Sequence, residues 1–381
     1  MEVIEVKDFR SEKQFLEVPF EIYRSDPNWI CPPKVEIRSL FDPVKNPAWE
    51  RGEAKRWILM KDGRLAGRIA AFFQVYPNRK EAGIGFFECG NDGSMSRDLF
   101  EVAVNWLQQK GFEEIDGPVN FGHRDAYWGL LVDGFEVPAF QDNYHPPYYR
   151  KLFEDFGFVP AYEQVTARIT RADFNATRLA PIAKRIMANP AYSFLPFLMD
   201  ETKKMARDFV EIYNQAWVHL EHFVPVEVEE MEKIIREMKP LVLADLISFA
   251  YVEEKPAGFF ISIRDINPLI RSFMGRFGWA QKLLLFWRLK TQKPRKLRSI
   301  VFGVIPAQQN KGLETGMIWA FYEAIQRHPS IEEVELSWVG DFNPRMLALL
   351  EGIGAKPWKK HITYRLKSPP TLALRRAKQT I

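Results

Sequence analysis

Apolar and polar positions alternate through RWILMKDGRLAGRIAAFF (Arg56–Phe73), with an Asp-Gly pair at the centre, and this pattern predicts a β-hairpin. DLISFAYVEEKPAGFFISI (Asp245–Ile263) has the same form and sets Gly258 over Gly67. Elsewhere the period lengthens. PYYRKLFEDFGFVPAYEQVTARI (Pro147–Ile169) reads as a helix, a glycine stop and a closing strand. PRMLALLEGIGAKPWKKHITYRL (Pro344–Leu366) reads the same way, 197 residues further on. At that offset Leu152 matches Leu349, Gly157 matches Gly354, Pro160 matches Pro357, Thr166 matches Thr363 and Arg168 matches Arg365.

Shorter matches keep the same order. Glu21–Tyr23 recurs at Glu211–Tyr213, and Glu113–Ile115 sits over Glu332–Val334. Each half thus reads helix, hairpin, strand, helix, strand, helix, strand. Ordered matches at four places indicate a duplicated domain. The expected domains are 1–172 and 173–381, with the junction inside Thr170–Tyr192.

Composition agrees with two globular units. A chain of 381 residues exceeds one ordinary core. No apolar run approaches the length that spans a bilayer, and the acidic, mixed start MEVIEVKDFR is not a signal peptide. Two cysteines, Cys31 and Cys89, point to a reducing, cytoplasmic setting and exclude a cysteine-based zinc site. Net charge is +4, yet Arg271–Arg298 alone holds nine Lys or Arg and no Asp or Glu, so the rest of the chain is acidic. Attraction to an anion is therefore local.

The segment VFGVIPAQQNKGLETGMIWAFYEAI (Val301–Ile325) predicts strand, glycine turn and helix. Backbone N–H groups at such a helix start converge on one point and favour a phosphate there. VIPAQQNKGLE (Val304–Glu314) resembles the acyl-CoA motif Q/R-x-x-G-x-G/A of the GNAT acyltransferase superfamily through Gln309 and Gly312. NPRMLALLEGIGA (Asn343–Ala355) resembles the later Asn…Leu…Gly-Phe helix of that superfamily. With its repeat, the whole chain resembles a tandem GNAT protein. The resemblance implies an α/β (α+β mixed sheet) fold of two tandem GNAT-like domains, each a mixed central sheet flanked by helices.

The resemblance also implies a donor site in the second half. Its phosphate loop spans 304–316, with Val304, Ile305, Gln309, Lys311, Gly312, Leu313 and Thr315 on the donor. Ser337, Trp338 and Asn343 would lie by the thioester arm. Their structural alternatives are core packing for Trp338 and a helix cap for Asn343. Two departures stand out. Glu314 replaces the small residue at the motif's last position, where a carboxylate repels a pyrophosphate. Either Glu314 turns outward, or Lys311, Thr315 and Gly316 take over in a shifted register. The superfamily's tyrosine acid is replaced by Phe153 and Leu350 in the two copies. In the first half the matching segment, Gly85–Leu107, has no such loop, and Asn91, Asp92 or Ser96 serve as helix caps there.

A long loop, 117–149, is peculiar to the first half and is rich in polar and aromatic side chains. An amine must lose a proton before it attacks a thioester. The base expected there is His145, then Asp125, then His123. Asn120, Tyr144, Tyr148, Tyr149 and, from the second half, Trp338 are the expected acceptor contacts. Packing of the loop over the sheet is the structural alternative. His219 and His222 lack a third metal ligand, so no metal is expected.

The basic insertion 271–298 places Phe273, Phe277, Ala280, Leu284 and Trp287 at helical spacing. Three readings fit: a helix on an anionic membrane, a lid over a lipid-like chain, or a helix packed on its own domain. No nucleic-acid module is present. The expected function is acyl transfer from acyl-CoA or an acyl carrier protein to an amine, small or lipid-like, with no tightly bound cofactor. By resemblance, lipid amines such as sphingoid bases are within scope. The alternatives are a degenerate tandem GNAT acting as a binding or scaffold protein, and an aminoacyl-tRNA-dependent transferase of the peptidoglycan type.

Overall fold

The computed structural model describes residues 1–122, 126–218, 223 and 225–367. The first half runs β1 (Glu2–Glu5), α1 (Phe9–Ile22), α2 (Lys34–Leu40), β2 (Gly52–Lys61), β3 (Arg64–Tyr76) and β4 (Arg79–Cys89). It continues through α3 (Gly93–Gln109), β5 (Glu114–Gly117), β6 (Leu130–Asp133), α4 (Tyr149–Phe156) and β7 (Val159–Thr170). The second half runs α5 (Ala176–Met187), β8 (Tyr192–Pro196), α6 (Thr202–Ala216), α7 (Val228–Met238), β9 (Ile247–Val252), β10 (Lys255–Arg264) and α8 (Asn267–Ile270). Then follow α9 (Trp279–Thr291), β11 (Lys296–Val304), α10 (Leu313–Gln326), β12 (Glu333–Gly340), α11 (Pro344–Ile353) and β13 (Lys356–Lys367).

Both hairpins form as the alternation predicts. In β2–β3 the turn residues Asp62 and Gly63 take φ of 51° and 75°, the left-handed pair that suits a tight hairpin. In β9–β10 the turn uses Glu253 and Glu254 at 49° and 65°, without glycine. Gly157 and Gly354, at φ 110° and 96°, stop α4 and α11 at equivalent places.

The strands form one mixed sheet in the order β1-β2-β3-β4-β5-β13-β7-β12-β11-β10-β9-β8, with β6 beside β13. The order is symmetric about the β13–β7 pair. Each closing strand leaves its own half: β13 pairs with β5, and β7 pairs with β12. The two halves of the sequence therefore share a sheet, where the repeat alone suggests two separate ones. The matched arginines explain themselves here. Arg365 lies opposite Asp116 and bonds it at 2.6 Å. Arg168 lies opposite Glu335 and reaches Glu333 at 3.3 Å.

Helices cover both faces. Phe100 of α3 and Phe153 of α4 pack with Phe87 of β4 in the first core. In the second half Phe321 of α10 meets Phe260 of β10 on one face, and Phe209 of α6 stacks on Phe259 of the same strand on the other. Alternation along β10 sends these neighbouring rings to opposite sides.

A buried charge cluster sits where the halves meet. Lys359 of β13 reaches Glu335 of β12 at 2.7 Å, and Lys296 of β11 reaches it at 2.5 Å. Beside them Arg298 holds Asp142 of the long loop at 2.7 Å. Burial pushes the Glu335 carboxyl up, but Lys359 and Lys296 more than offset it and hold it at about 2. Glu335→Gln leaves the two buried lysines with only the more distant Glu333 and Asp142, each at 3.8 Å, and costs roughly 3–5 kcal/mol at neutral pH. The folded-state value lies below the ordinary 4.5, so this contribution is present above that pH and is lost as pH falls toward about 2. Urea unfolding of wild type and variant across that window checks it: the gap between them must narrow on acidification.

Candidate active site

The site grows out of a fork in the sheet. β11 and β12 run parallel and stay in register from Lys296↔Glu333 to Arg298↔Glu335, then part. Ser337 spans the crotch, its Oγ donating to the carbonyl of Ser299 and, at 2.9 Å, to that of Ile300. Beyond it, Ile305 donates its N–H to Ala257 at 2.9 Å on the β10 side. Strand alternation then turns the N–H groups of Phe302 and Val304 to the open side.

Past Val304 the chain makes a short 3-10 turn, Pro306–Gln308, and enters α10. Gln309 Nε2 closes the turn on the Val304 carbonyl at 3.1 Å. Gly312 takes φ 89° as the first residue of the helix boundary and offers no side chain to cap it. The first N–H groups of α10 find no acceptor among the described residues, so they and the helix dipole remain available to an anion. Arg345, at the start of α11, bonds Asn310 Oδ1 at 3.2 Å and brings a cation to the loop.

Glu314 is half-buried in the first turn, on the wall of the cleft, with no ion pair among the described residues. It does not turn away from the cleft. The shifted register is closed as well. Gly316 is a packing glycine: a Cβ there would lie 2.2 Å from the Phe194 ring. Lys311 is exposed and off the cleft wall.

The first half has lost the equivalent opening. β4 and β5 share a single registered pair, Gly83↔Asp116. Past a cis Gly117–Pro118 bond, Val119 crosses the gap and donates to the Ile84 carbonyl at 2.8 Å. A Cβ on Gly85 would lie 2.0 Å from the Val119 carbonyl oxygen, so the backbone itself fills the fork. The N-terminus of α3 is also satisfied internally. Asp92 accepts from the N–H groups of Ser94 and Met95 and pairs with Lys61 at 3.0 Å.

The open fork leads into a cleft of about 2290 Å³ that spans both halves. Val304, Gln309, Gly312, Thr315, Trp338 and Asn343 line it. Ile305 and Leu313 pack in the core behind the loop instead. Asn343 also caps α11, accepting from the Met346 N–H at 3.2 Å. From the long loop, Asn120, Trp128 and Gln141 reach the cleft.

The remaining residues of that loop lie elsewhere. Tyr144 donates to Asp26 at 2.7 Å, Tyr148 to the Cys89 carbonyl and Tyr149 to Glu88, each at 2.8 Å. They belong to the packing of the first half, not to the cleft. His145 is 5% exposed, and its Nδ1 accepts from the Leu131 N–H at 3.2 Å. Burial, helped by His361, pushes its pKa down to about 3. His145 is thus a buried ring bonded to the loop backbone and does not line the cleft. His123, Asp125, His219 and His222 lie outside the described residues. Among the described residues no cluster of three or more His, Cys, Asp or Glu is arranged for a metal.

One part of the cleft had no sequence signal. Under α6 and α7 lies an apolar chamber walled by Phe209, Tyr213, Trp217, Met231, Ile235 and Leu241. Tyr213 stacks on Trp217 with ring centres 4.9 Å apart. The indole of Trp217 lies against Gly303 of β11, where a Cβ would sit 2.2 Å from it. The amphipathic pattern of these helices predicts a buried face, but not that space is left beneath it.

Taken with the exchanged strands, this is a tandem GNAT fold, with one open fork among the described residues. A tandem GNAT protein from the clavulanic acid biosynthesis pathway superposes with a TM-score of 0.57 at 13% identity, covering 97% of this chain and 100% of that one. A glucosamine N-acetyltransferase region of a fungal multi-domain β-N-acetylglucosaminidase gives 0.60 at 12% identity over 96% of this chain. This chain spans 38% of that larger protein. In sequence, the chain is 29% identical to Protein YghO of Escherichia coli (strain K12), covering 92% of each. It is 27% identical to the bacterial ceramide synthase of Caulobacter vibrioides (strain NA1000 / CB15N), over 96% of this chain and 97% of that one. No protein-family model matches the chain.

The two helix starts predict opposite responses. Asp92→Ala removes a cap and lowers stability by about 1 kcal/mol. It leaves any anion at the uncapped start of α10 unaffected, because the two helix starts share no residue. Thermal unfolding and calorimetric titration of the variant check both halves of the statement.

Proposed function

We propose that the chain transfers an acyl group from acyl-CoA to a lipid-like amine at the β11–β12 fork. The observation that carries this is the join of two unlike spaces at one point. An uncapped helix start suited to a pyrophosphate lies at one end of the fork, and an apolar chamber opens beside it. The tandem GNAT fold and the likeness to a bacterial ceramide synthase support the acyltransferase class. A lipid-like acceptor resides in a bilayer, so this reading carries a peripheral membrane location with it.

The chemistry follows from the fork. The pyrophosphate of the donor takes the free N–H groups of α10, and Arg345 adds charge from the side. The pantetheine arm lies between the parted strands and pairs with backbone there. N–H groups on the open edge of β11 polarise the thioester carbonyl and hold the oxyanion that forms when the amine attacks. The C–S bond then breaks, the CoA thiolate takes a proton from an acid at the site, and the proton that the nitrogen loses as the amide forms restores that acid. Leu350 stands where the superfamily has its tyrosine, so another group must supply that proton. Tyr162 of β7 lines the cleft beyond the end of β12, and its ring packs 5.9 Å from that of Phe342. We assign the proton donor to Tyr162. This strand reaches the second-half fork only through the exchange with β13.

A thiol-release assay with acyl-CoA donors of increasing chain length and long-chain amine acceptors tests the reading. Turnover must need both substrates and favour long chains. Stabilisation by acyl-CoA, about 2.7 kcal/mol at a hundredfold excess over its dissociation constant, without thiol release with any amine would leave the second reading, a binding protein. Leu350 and Glu314 are the features that favour that alternative.

Two substitutions sharpen the test. Tyr162→Phe lowers kcat by roughly tenfold to a hundredfold and leaves KM for the donor unchanged. The fold survives it, because Trp128 Nε1 keeps Thr363 Oγ1 as an acceptor at 2.9 Å. Glu314→Gln removes a like charge from the phosphate site and tightens CoA binding about fivefold, the equivalent of roughly 1 kcal/mol. Equal affinities, measured by calorimetry at low salt, would remove the donor from that helix start.

A further inference from the structure

Helix α9 turns its apolar side outward. Trp279, Leu283, Phe286 and Trp287 follow one another at steps of four, three and one, and so share one face. Their exposures are 78%, 61%, 50% and 58%, and no residue of the helix is buried. The opposite face meets the protein and is partly polar. There Arg288 donates to the carbonyl of Leu269 and to Ser272 Oγ, and its guanidinium lies 5.2 Å from the Phe273 ring centre. From the sheet, Arg264 donates to the Leu289 carbonyl at 3.0 Å. The helix is therefore held firmly with its greasy side in solvent, the reverse of an ordinary surface helix. Its stripe also differs from the expected one, because Phe273 is buried in a separate 3-10 turn that precedes it.

The charge around this face has one sign. Arg271, Arg276, Lys282, Lys290 and Lys293 make no ion pair among the described residues. Lys290 Nζ lies 4.4 Å from the Phe286 ring centre, a cation beside the apolar face. Exposed tryptophans edged by free cations match the interface of an anionic bilayer, where indole rings and basic side chains both gain. A second copy of this chain would meet like charge instead.

The helix also adjoins the apolar chamber. It packs against the 3-10 turn Lys239–Leu241, and Leu241 and Arg264 both line the cleft. We infer that α9 docks the protein on an anionic lipid bilayer and sets the chamber mouth against it, so that the lipid-like substrate passes in without crossing water. The docking stands on the helix itself; the passage of substrate rests on the proposed function.

The test uses the full chain and vesicles of phosphatidylglycerol with phosphatidylethanolamine, against vesicles of phosphatidylcholine alone. Wild type co-sediments with the anionic vesicles, more weakly as salt rises. The combined variant Trp279→Ser, Phe286→Ser and Trp287→Ser loses at least about tenfold in partition and keeps its thermal midpoint, since it empties no core. The combined Lys282→Glu, Lys290→Glu and Lys293→Glu variant loses the preference for anionic lipid. Equal sedimentation of wild type and serine variant overturns the docking. So does a wild-type dimer that the serine variant dissolves while neither binds vesicles. In the thiol-release assay, the serine variant keeps turnover on a detergent-dispersed acceptor and loses it on one embedded in vesicles. Wild-type vesicle binding with no thiol release under any condition would sink the transferase reading and leave the docking intact.

Discussion

The exchange of closing strands is the constraint on which the rest of the molecule depends. β13 completes the first-half sheet and β7 the second, so neither half has a finished sheet without the other. The junction is fixed by charge as well as by the ladder. Glu335 of β12 meets Lys296 of the adjacent β11 and, across the intervening β7, Lys359 of β13, and a slip of one residue would send a buried charge to the wrong face. Loop residue Asp142 pairs with Arg298 and lies 3.8 Å from Lys359 of the same cluster. The long loop of the first half is thereby tied to β11, the strand that forms the fork.

From that constraint an asymmetry of structure follows. The repeat places a fork in each half, and among the described residues only the second stays open. In the first half the backbone of Val119 occupies the gap, and Asp92 satisfies the helix that follows. This half contributes walls: Asn120, Trp128 and Tyr162 reach the cleft of its partner. The second half kept an open fork and an uncapped helix, and it gained an apolar space under α6 and α7. Glu314 stands on the wall of that cleft, in the first turn of α10.

Much of this was legible from local pattern. The two hairpins, the glycine helix stops and the strand–turn–helix of the phosphate loop all arise where the periodicities and turn residues put them. Arg168 and Arg365 were visible as a matched pair, although their shared purpose, a charge pair across each exchanged strand, was not. Chemistry on the long loop was the weakest expectation. Its aromatic and histidine side chains suggest a site by composition, but Tyr144, Tyr148, Tyr149 and His145 spend their polar atoms inside the first-half core. Polar residues of a loop satisfy buried backbone as readily as they meet a ligand, and sequence does not distinguish the two.

The sequence by itself determined the repeat, the order of elements and the place of the glycine turn before α10, since each is written in contacts a few residues apart. Tertiary structure decided which strand each closing strand would join. The local pattern of β7 and β13 does not say which sheet each joins; in the fold β13 pairs with β5 and β7 with β12. It also decided that the first fork would fill and the second stay open, through a crossing at Val119 that no local pattern records. It decided, finally, the direction of α9: the stripe of Trp279, Leu283, Phe286 and Trp287 is encoded locally, but only the anchoring of Arg288 and Leu289 against the domain turns that stripe outward.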